Sequence, residues 1–184
     1  IFVEVALTAE IPAAIGPLIA EGGTPLAADE ARVAVFYSIS NCQTGLAGIS
    51  FGSLLIKQVV EELKRELPKL TTFVTLSPVP GFAKWLAKER KTETGFLLDE
   101  ERLLLGALDE PDWRADVARA QKVDRLLARC AARYFLTAKA SGSRPLDPVA
   151  RFHLGNGARL ERINTGADLS DTGLAQSHGV MVNY

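Results

Sequence analysis

The chain has 184 residues, 47% apolar and 23% charged, which suits one globular domain with a sizeable core. Lys and Arg total 21 against 22 Asp and Glu, a formal charge of −1, so nothing global points to nucleic acid or an anionic membrane. No run of about 18 apolar residues reads as a membrane span. A small anionic ligand stays open, because a few local donors suffice to bind one.

Residues 1–8 read as a strand, and Ala9–Glu21 as a short helix punctuated by Pro12 and Pro17. A Gly-Gly-Thr-Pro turn at 22–25 leads to a second strand at 33–40. Gly45, Gly48 and Gly52 then mark a loop. An amphipathic helix at 53–67 follows, with Leu55, Ile56, Val59, Val60, Leu63 and Leu67 on its apolar stripe and Glu61–Arg65 as an i,i+4 pair. Pro68 ends it, and a strand at 72–76 delivers Ser77 to two prolines and a glycine, which predict a rigid turn. Strand, glycine loop, helix and strand in that order form a βαβ crossover, which requires parallel strands.

Beyond this unit the pattern is mainly helical. Short helices are predicted at 82–91 and 98–108, and the longest over 112–140, with Trp113, Val117, Ala120, Val123, Leu127, Cys130 and Tyr134 on one stripe. Ser141–Pro145 breaks it. Pro148 suits the first turn of a helix that carries His153 and ends at Gly155 or Gly157. Residues 159–164 and 179–184 read as strands. Both chain ends fall inside strand-like runs, which points to a piece of a longer protein. Cys42 and Cys130 have neither metal spacing nor a disulfide framework; Cys130 reads as a buried helical thiol and Cys42 as a loop thiol.

Three words carry the possible chemistry. The loop Gln43-Thr44-Gly45-Leu46-Ala47-Gly48-Ile49-Ser50-Phe51-Gly52-Ser53 runs into a helix N-terminus, where free backbone N–H groups make a pyrophosphate cradle. It lacks the Walker lysine and the dinucleotide glycine pattern, so glycines used only for turning fit equally well. Ser77 ends a strand without the elbow of an α/β-hydrolase, so it is either a turn residue or a polar group facing a ligand. His153 is one of two histidines, with His178. The residue type suits proton transfer near neutrality, although a packed or capping role fits a lone histidine beside Phe152 and Leu154. His178, in a polar turn before a strand, reads as solvated. No metal site is expected from these spacings.

Taken together, these words resemble the C-terminal catalytic domain of the malonyl-CoA decarboxylase family. The resemblance rests on Phe36-Tyr37-Ser38-Ile39-Ser40, Gln43-x-Gly45-Leu46-x-Gly48 and Leu55-Ile56-Lys57-x-Val59-Val60. It continues through Leu76-Ser77-Pro78-Val79-Pro80-Gly81-Phe82-x-Lys84-Trp85-Leu86, Asn156-Gly157-Ala158, Arg162-Ile163-Asn164, Ala167-Asp168 and Met181-x-Asn183-Tyr184. It spans nearly the whole chain.

The resemblance implies an α/β (α+β) fold similar to the Gcn5-related N-acetyltransferases, a mixed sheet with a central βαβ acyl-CoA-binding unit flanked by helices. It makes residues 1–184 a single catalytic domain, with a helical N-terminal oligomerisation domain outside it and a homo-oligomer as the assembly. Ala47, Gly48, Ile49, Ser50, Phe51, Gly52 and Ser53 fall on the malonyl-CoA-binding loop, and Ser77 and His153 on the two catalytic positions, proton acceptor and proton donor. The loop departs from ordinary acetyltransferases of this fold, which lack an equivalent of Ile49-Ser50-Phe51 before Gly52-Ser53-Leu54-Leu55. Members of the family can also carry an acidic residue near position 50, where this chain has Ser50. The implied activity is decarboxylation of malonyl-CoA to acetyl-CoA and CO₂ without a cofactor. A thioester is itself a fair electron sink, and the site has to stabilise the resulting enolate and protonate its carbon. Alanine- and arginine-rich stretches such as 115–133 add a compositional expectation of a bacterial cytoplasmic enzyme. Two rivals share the expected fold, an acyl-CoA-dependent N-acyltransferase and a non-catalytic acyl-CoA-binding module.

Overall fold

The computed structural model describes residues 2–22, 26–40, 52–92 and 95–184. The glycine loop at 41–51, including Cys42 and Ala47–Phe51, lies outside the described residues, as does most of the turn expected at 22–25. The chain divides into two compact units, Ile1–Ser77 with Asn183–Tyr184, and Pro78–Val182.

In the first unit, β1 (Phe2–Thr8) pairs antiparallel with β2 (Val33–Ser40), from Phe2 opposite Ser40 to Thr8 opposite Val33, with a register shift between Glu4 and Val5. Strand β2 pairs parallel with β3 (Thr72–Thr75), from Val33 opposite Thr72 to Phe36 opposite Thr75. The sheet is therefore mixed, and the parallel pair expected of the crossover is present. Between the parallel strands runs α2 (Gly52–Glu66). Its stripe does what amphipathic spacing requires: Leu63 and Leu67 pack with Val5, Leu7 and Phe73 around the buried Ala31, Ala34 and Leu70.

Two local expectations are corrected here. Surface pairing on α2 is i,i+3, Lys64 with Glu61 at 3.4 Å and Arg65 with Glu62, rather than Glu61 with Arg65. Helix α1 covers only Gly16–Ile19, with Pro17 in its first turn. The stretch before it is irregular, and the Pro12 carbonyl accepts a hydrogen bond from Asn183 Nδ2 at 3.3 Å.

The second unit is mainly helical: α3 (Phe82–Arg90), α4 (Asp99–Leu105) running into a 3₁₀ turn at Gly106–Asp109, α5 (Val117–Thr137), α6 (Pro148–Gly155) and α7 (Asp171–Ser177). Phe82, Leu86, Leu105, Val123, Leu127, Cys130 and Tyr134 form its sealed interior. Tyr134 sits 5.8 Å from the Phe82 ring and 5.2 Å from Trp85, an aromatic cluster that adds directional packing to area burial. Helix α5 starts later than expected. Asp116 caps it by accepting from Arg119 N, so Trp113 lies before the helix, stacked on Arg114 at 4.2 Å, and Val117 is exposed. Helix α7 was not expected at all; Ser170 caps it, accepting from Gly173 N at 3.1 Å.

Three short strands make a second sheet in the order β4 (Ser77–Pro78), β6 (Met181–Asn183), β5 (Arg162–Asn164). The first sheet does end at Thr75, but Ser77 and Pro78 continue extended into this second one instead of turning at once. Pro78 is tolerated because β4 is an edge strand. Among the described residues, no helix is long and apolar enough to cross a membrane.

Candidate active site

Ser77 belongs to the first unit. Residues i and i+2 of an extended chain share a face, which sets Ser77 on the same side as Thr75; their hydroxyl oxygens are 2.8 Å apart, within a hydrogen bond. Both residues are only 6% exposed. Thr75 is itself held on every polar atom. Its N–H donates to the Tyr184 carbonyl at 3.0 Å, its carbonyl accepts from Asn183 Nδ2 at 3.0 Å, and its Oγ1 accepts from Tyr184 N at 3.4 Å. Asn183, fully buried, bridges the Thr75 and Pro12 carbonyls. The tail word Asn183-Tyr184 thus locks the strand end that presents Ser77.

His153 belongs to the second unit, in the last turn of α6. The helix begins where it does because Asp147 Oδ1 accepts from Ala150 N at 2.8 Å and Pro148 needs no donor partner in the first turn. It stops at Gly155. Asn156 N donates to the Phe152 and His153 carbonyls, Asn156 Nδ2 donates to Phe152 O at 2.7 Å, and Gly157 takes φ +87°. The His153 ring is 7% exposed and lies edge-on to Phe152 at 5.0 Å. Burial pushes its pKa down to about 4, so the ring is neutral near pH 7.

In the second unit, Tyr134 Oη and Asp147 Oδ2 are buried polar atoms without hydrogen-bond partners. Burial, and then the Asp147 charge, pushes the Tyr134 phenol up to about 12. Burial also raises the Asp147 pKa against the N–H groups of Ala150 and Val149. The Tyr134 hydroxyl explains Gly81: a Cβ there would lie 2.7 Å from Tyr134 Oη. The glycine of the Ser-Pro-Val-Pro-Gly word is needed for room. Its φ of −99° is open to any residue.

Gly52 and Ser53, two of the seven loop residues expected to bind substrate, open α2; Ala47–Phe51 are outside the described residues. His178 is half-buried rather than solvated, in a left-handed conformation (φ +53°) at the end of α7. Burial and Arg90 lower its pKa against the pull of Asp109. Cys130 is buried, its thiol pushed up to about 12 by burial, which suits an inert structural thiol. Thr75, Tyr134 and Asp147 were not singled out for the site from the sequence. The i+2 spacing of Thr75 and Ser77 on a strand was the available signal for the first.

The mixed sheet and its helices are similar to the GphF GNAT-like decarboxylase in complex with isobutyryl-CoA, at 20% identity and a TM-score of 0.52 over 98% of this chain and 68% of that one. That defines the class, a mixed α/β protein of GNAT-like fold. The particular lineage is sharper. The family model of the malonyl-CoA decarboxylase C-terminal domain matches residues 1–184. A malonyl-CoA decarboxylase crystal structure from Rhodopseudomonas palustris is 61% identical with a TM-score of 0.92, covering 99% of this chain and 42% of that chain. The mitochondrial malonyl-CoA decarboxylase of Rattus norvegicus is 39% identical over 207 aligned residues, 100% of this chain and 42% of its own length. The chain belongs to the malonyl-CoA decarboxylase C-terminal domain family, and it spans 42% of the length of either relative.

Proposed function

We propose that this chain is the catalytic part of an enzyme that decarboxylates malonyl-CoA to acetyl-CoA and CO₂ through a thioester enolate, with no cofactor. The observation that carries the reading is the family match over residues 1–184, within which the serine and histidine words are both intact. Ser77 hydrogen-bonds the substrate carboxylate and orients it. His153 supplies the proton that replaces CO₂ on the former methylene carbon. Ala47–Ser53 bind the CoA portion through backbone N–H groups, as free donors at a helix N-terminus suit a pyrophosphate. Assembly into a homo-oligomer through a helical N-terminal region belongs to the same reading, as does a cytoplasmic location.

The electrostatics of His153 support a donor role in a specific way. A ring whose neutral form is favoured by burial is a strong acid whenever it is charged. An anionic substrate beside it favours the imidazolium, and departure of the carboxylate as CO₂ removes that support when the carbanion needs a proton. The balance is complete: substrate carboxylate and one proton enter, CO₂ and a new C–H bond leave, and the ring returns to neutral.

The test is CO₂ release from malonyl-CoA by the full-length protein, with mass-spectrometric detection of acetyl-CoA. Ser77→Ala and His153→Asn are each expected to lower kcat by at least about 10²-fold, the usual scale for a general acid or an orienting donor. Turnover close to wild type in either variant removes that residue from the mechanism.

A further inference from the structure

We infer that Thr75 is a positioning residue for the reaction, acting through Ser77 as the second hydroxyl of a reversible donor–acceptor pair. The inference rests on the role proposed for Ser77.

The two hydroxyls are 2.8 Å apart in a buried strand end, each 6% exposed. A hydroxyl has one hydrogen to give and two lone pairs to receive with. In the structure the Ser77 hydrogen is directed at Thr75 Oγ1, and Tyr184 N–H, which can only donate, reaches that same oxygen at 3.4 Å. A carboxylate is an acceptor only, so orienting it obliges Ser77 to turn its hydrogen away from Thr75. The Ser77 oxygen and the Thr75 oxygen would then face each other with no hydrogen between them. Thr75 resolves this by rotating its own O–H onto Ser77 Oγ, while Tyr184 N–H continues to satisfy the Thr75 lone pair. No bond breaks; two hydroxyl rotors exchange roles.

This arrangement accounts for the care with which Thr75 is fixed. Its backbone N–H and C=O are both committed, to Tyr184 and Asn183, so Oγ1 stays at hydrogen-bond distance whichever way the hydrogen points. A donated hydrogen bond from Thr75 also makes the Ser77 hydrogen a better donor, since chains of hydrogen bonds polarise one another. Valine has the shape of threonine and can neither give nor receive that hydrogen.

The experiment uses the full-length protein and malonyl-CoA. Thr75→Val is expected to lower kcat about tenfold, the scale of one buried hydrogen bond, with KM changed less than kcat. Thr75→Ser, which restores the hydroxyl, is expected to stay within about twofold of wild type. In a Ser77→Ala background, Thr75→Val should cost less than twofold of the residual rate, whereas a merely structural role costs the same in both backgrounds. If circular dichroism shows that Thr75→Val does not fold, Thr75→Ala takes its place with the same expectations. Wild-type kcat in the valine variant, or a serine variant as impaired as the valine one, overturns the inference and leaves the Ser77 reading standing. Full activity in Ser77→Ala overturns the Ser77 reading itself.

Discussion

Ser77 and His153 are almost equally sealed, 6% and 7% exposed, but they are held by opposite means. The strand end around Ser77 is a dense hydrogen-bond network in which Thr75, Asn183 and the Tyr184 backbone satisfy one another. His153 is buried edge-on to Phe152, and in the same unit the buried atoms Tyr134 Oη and Asp147 Oδ2 have no hydrogen-bond partner. A network of that density fixes a hydroxyl in place. Burial instead shifts a group's proton affinity, and it pushes the His153 pKa down to about 4. The difference therefore separates two tasks, aiming and tuning.

The largest expected effect tests the hydrogen-bonded strand end. Asn183→Asp keeps the shape but sets a carboxylate against the Thr75 and Pro12 carbonyl oxygens, which Asn183 now serves as donor at 3.0 and 3.3 Å. An uncompensated buried charge facing acceptors is expected to cost roughly 3–5 kcal/mol. The urea midpoint at pH 7 measures it. A loss below about 1 kcal/mol means that the network does not hold the strand end.

The tuned side is read by pH. Burial holds the folded-state pKa of His153 down to about 4, against about 6.5 for an ordinary histidine. Between those values the unfolded chain binds the proton and the folded one does not, so stability falls as pH drops from about 6.5 to 4. The upper bound is roughly 3 kcal/mol, reduced by whatever solvent reaches the ring. His153→Asn should flatten that part of the acid limb relative to wild type, a difference that cancels the contribution of His178. An NMR midpoint near 6.5 for the His153 ring would contradict a neutral, burial-tuned histidine.

Much of this architecture was legible because its signals are local. The apolar run over 33–40, the stripe from Leu55 to Leu67 and Pro148 at the start of α6 each need only a few neighbouring residues, and β2, α2, β3 and α6 follow them. What escaped notice depends on distant partners. Residues 9–15 were expected to be helical, yet the Pro12 carbonyl serves Asn183 from the far end of the chain. Helix α7, unexpected from the sequence, forms around Gly173, where a Cβ would lie 2.3 Å from Asp168 Cγ, so its glycine supports close packing. In the candidate site, Ser77 and His153 stood out as the serine at a strand end and a scarce histidine. Thr75 looked like an ordinary β-branched strand residue, because its importance lies in what Asn183 and Tyr184 do to it.

Gly81 probes the boundary between packing and chemistry. Gly81→Ala places a methyl within 2.7 Å of Tyr134 Oη, and Tyr134 is wedged between Phe82 and Trp85, so it cannot swing aside cheaply. Overpacking of this kind is expected to cost about 1–3 kcal/mol. The double variant with Tyr134→Phe, which removes the clashing oxygen and an unpartnered buried hydroxyl, should recover most of it. Equal losses with and without that oxygen would place the cause in the backbone instead.

The smallest effect separates the two functions of Asp147. Oδ1 caps α6 through Ala150 N at 2.8 Å, while Oδ2 is buried without a hydrogen-bond partner. Asp147→Ala removes the cap and is expected to cost about 1 kcal/mol, up to about 2. Asn caps as well as Asp, and it brings no charge into a site that raises the Asp147 pKa by desolvation. Asp147→Asn is therefore expected within about 0.5 kcal/mol of wild type by thermal or urea unfolding, and its stability should be less pH-dependent near the carboxylate range. The sign is set by the raised pKa: in wild type the folded state holds the Asp147 proton more tightly than the unfolded chain, so this group favours folding at acid pH and loses that contribution as pH rises. An asparagine variant as unstable as the alanine one would mean that the charge itself is needed. The start of α6 would then depend on a buried charge as well as on its cap.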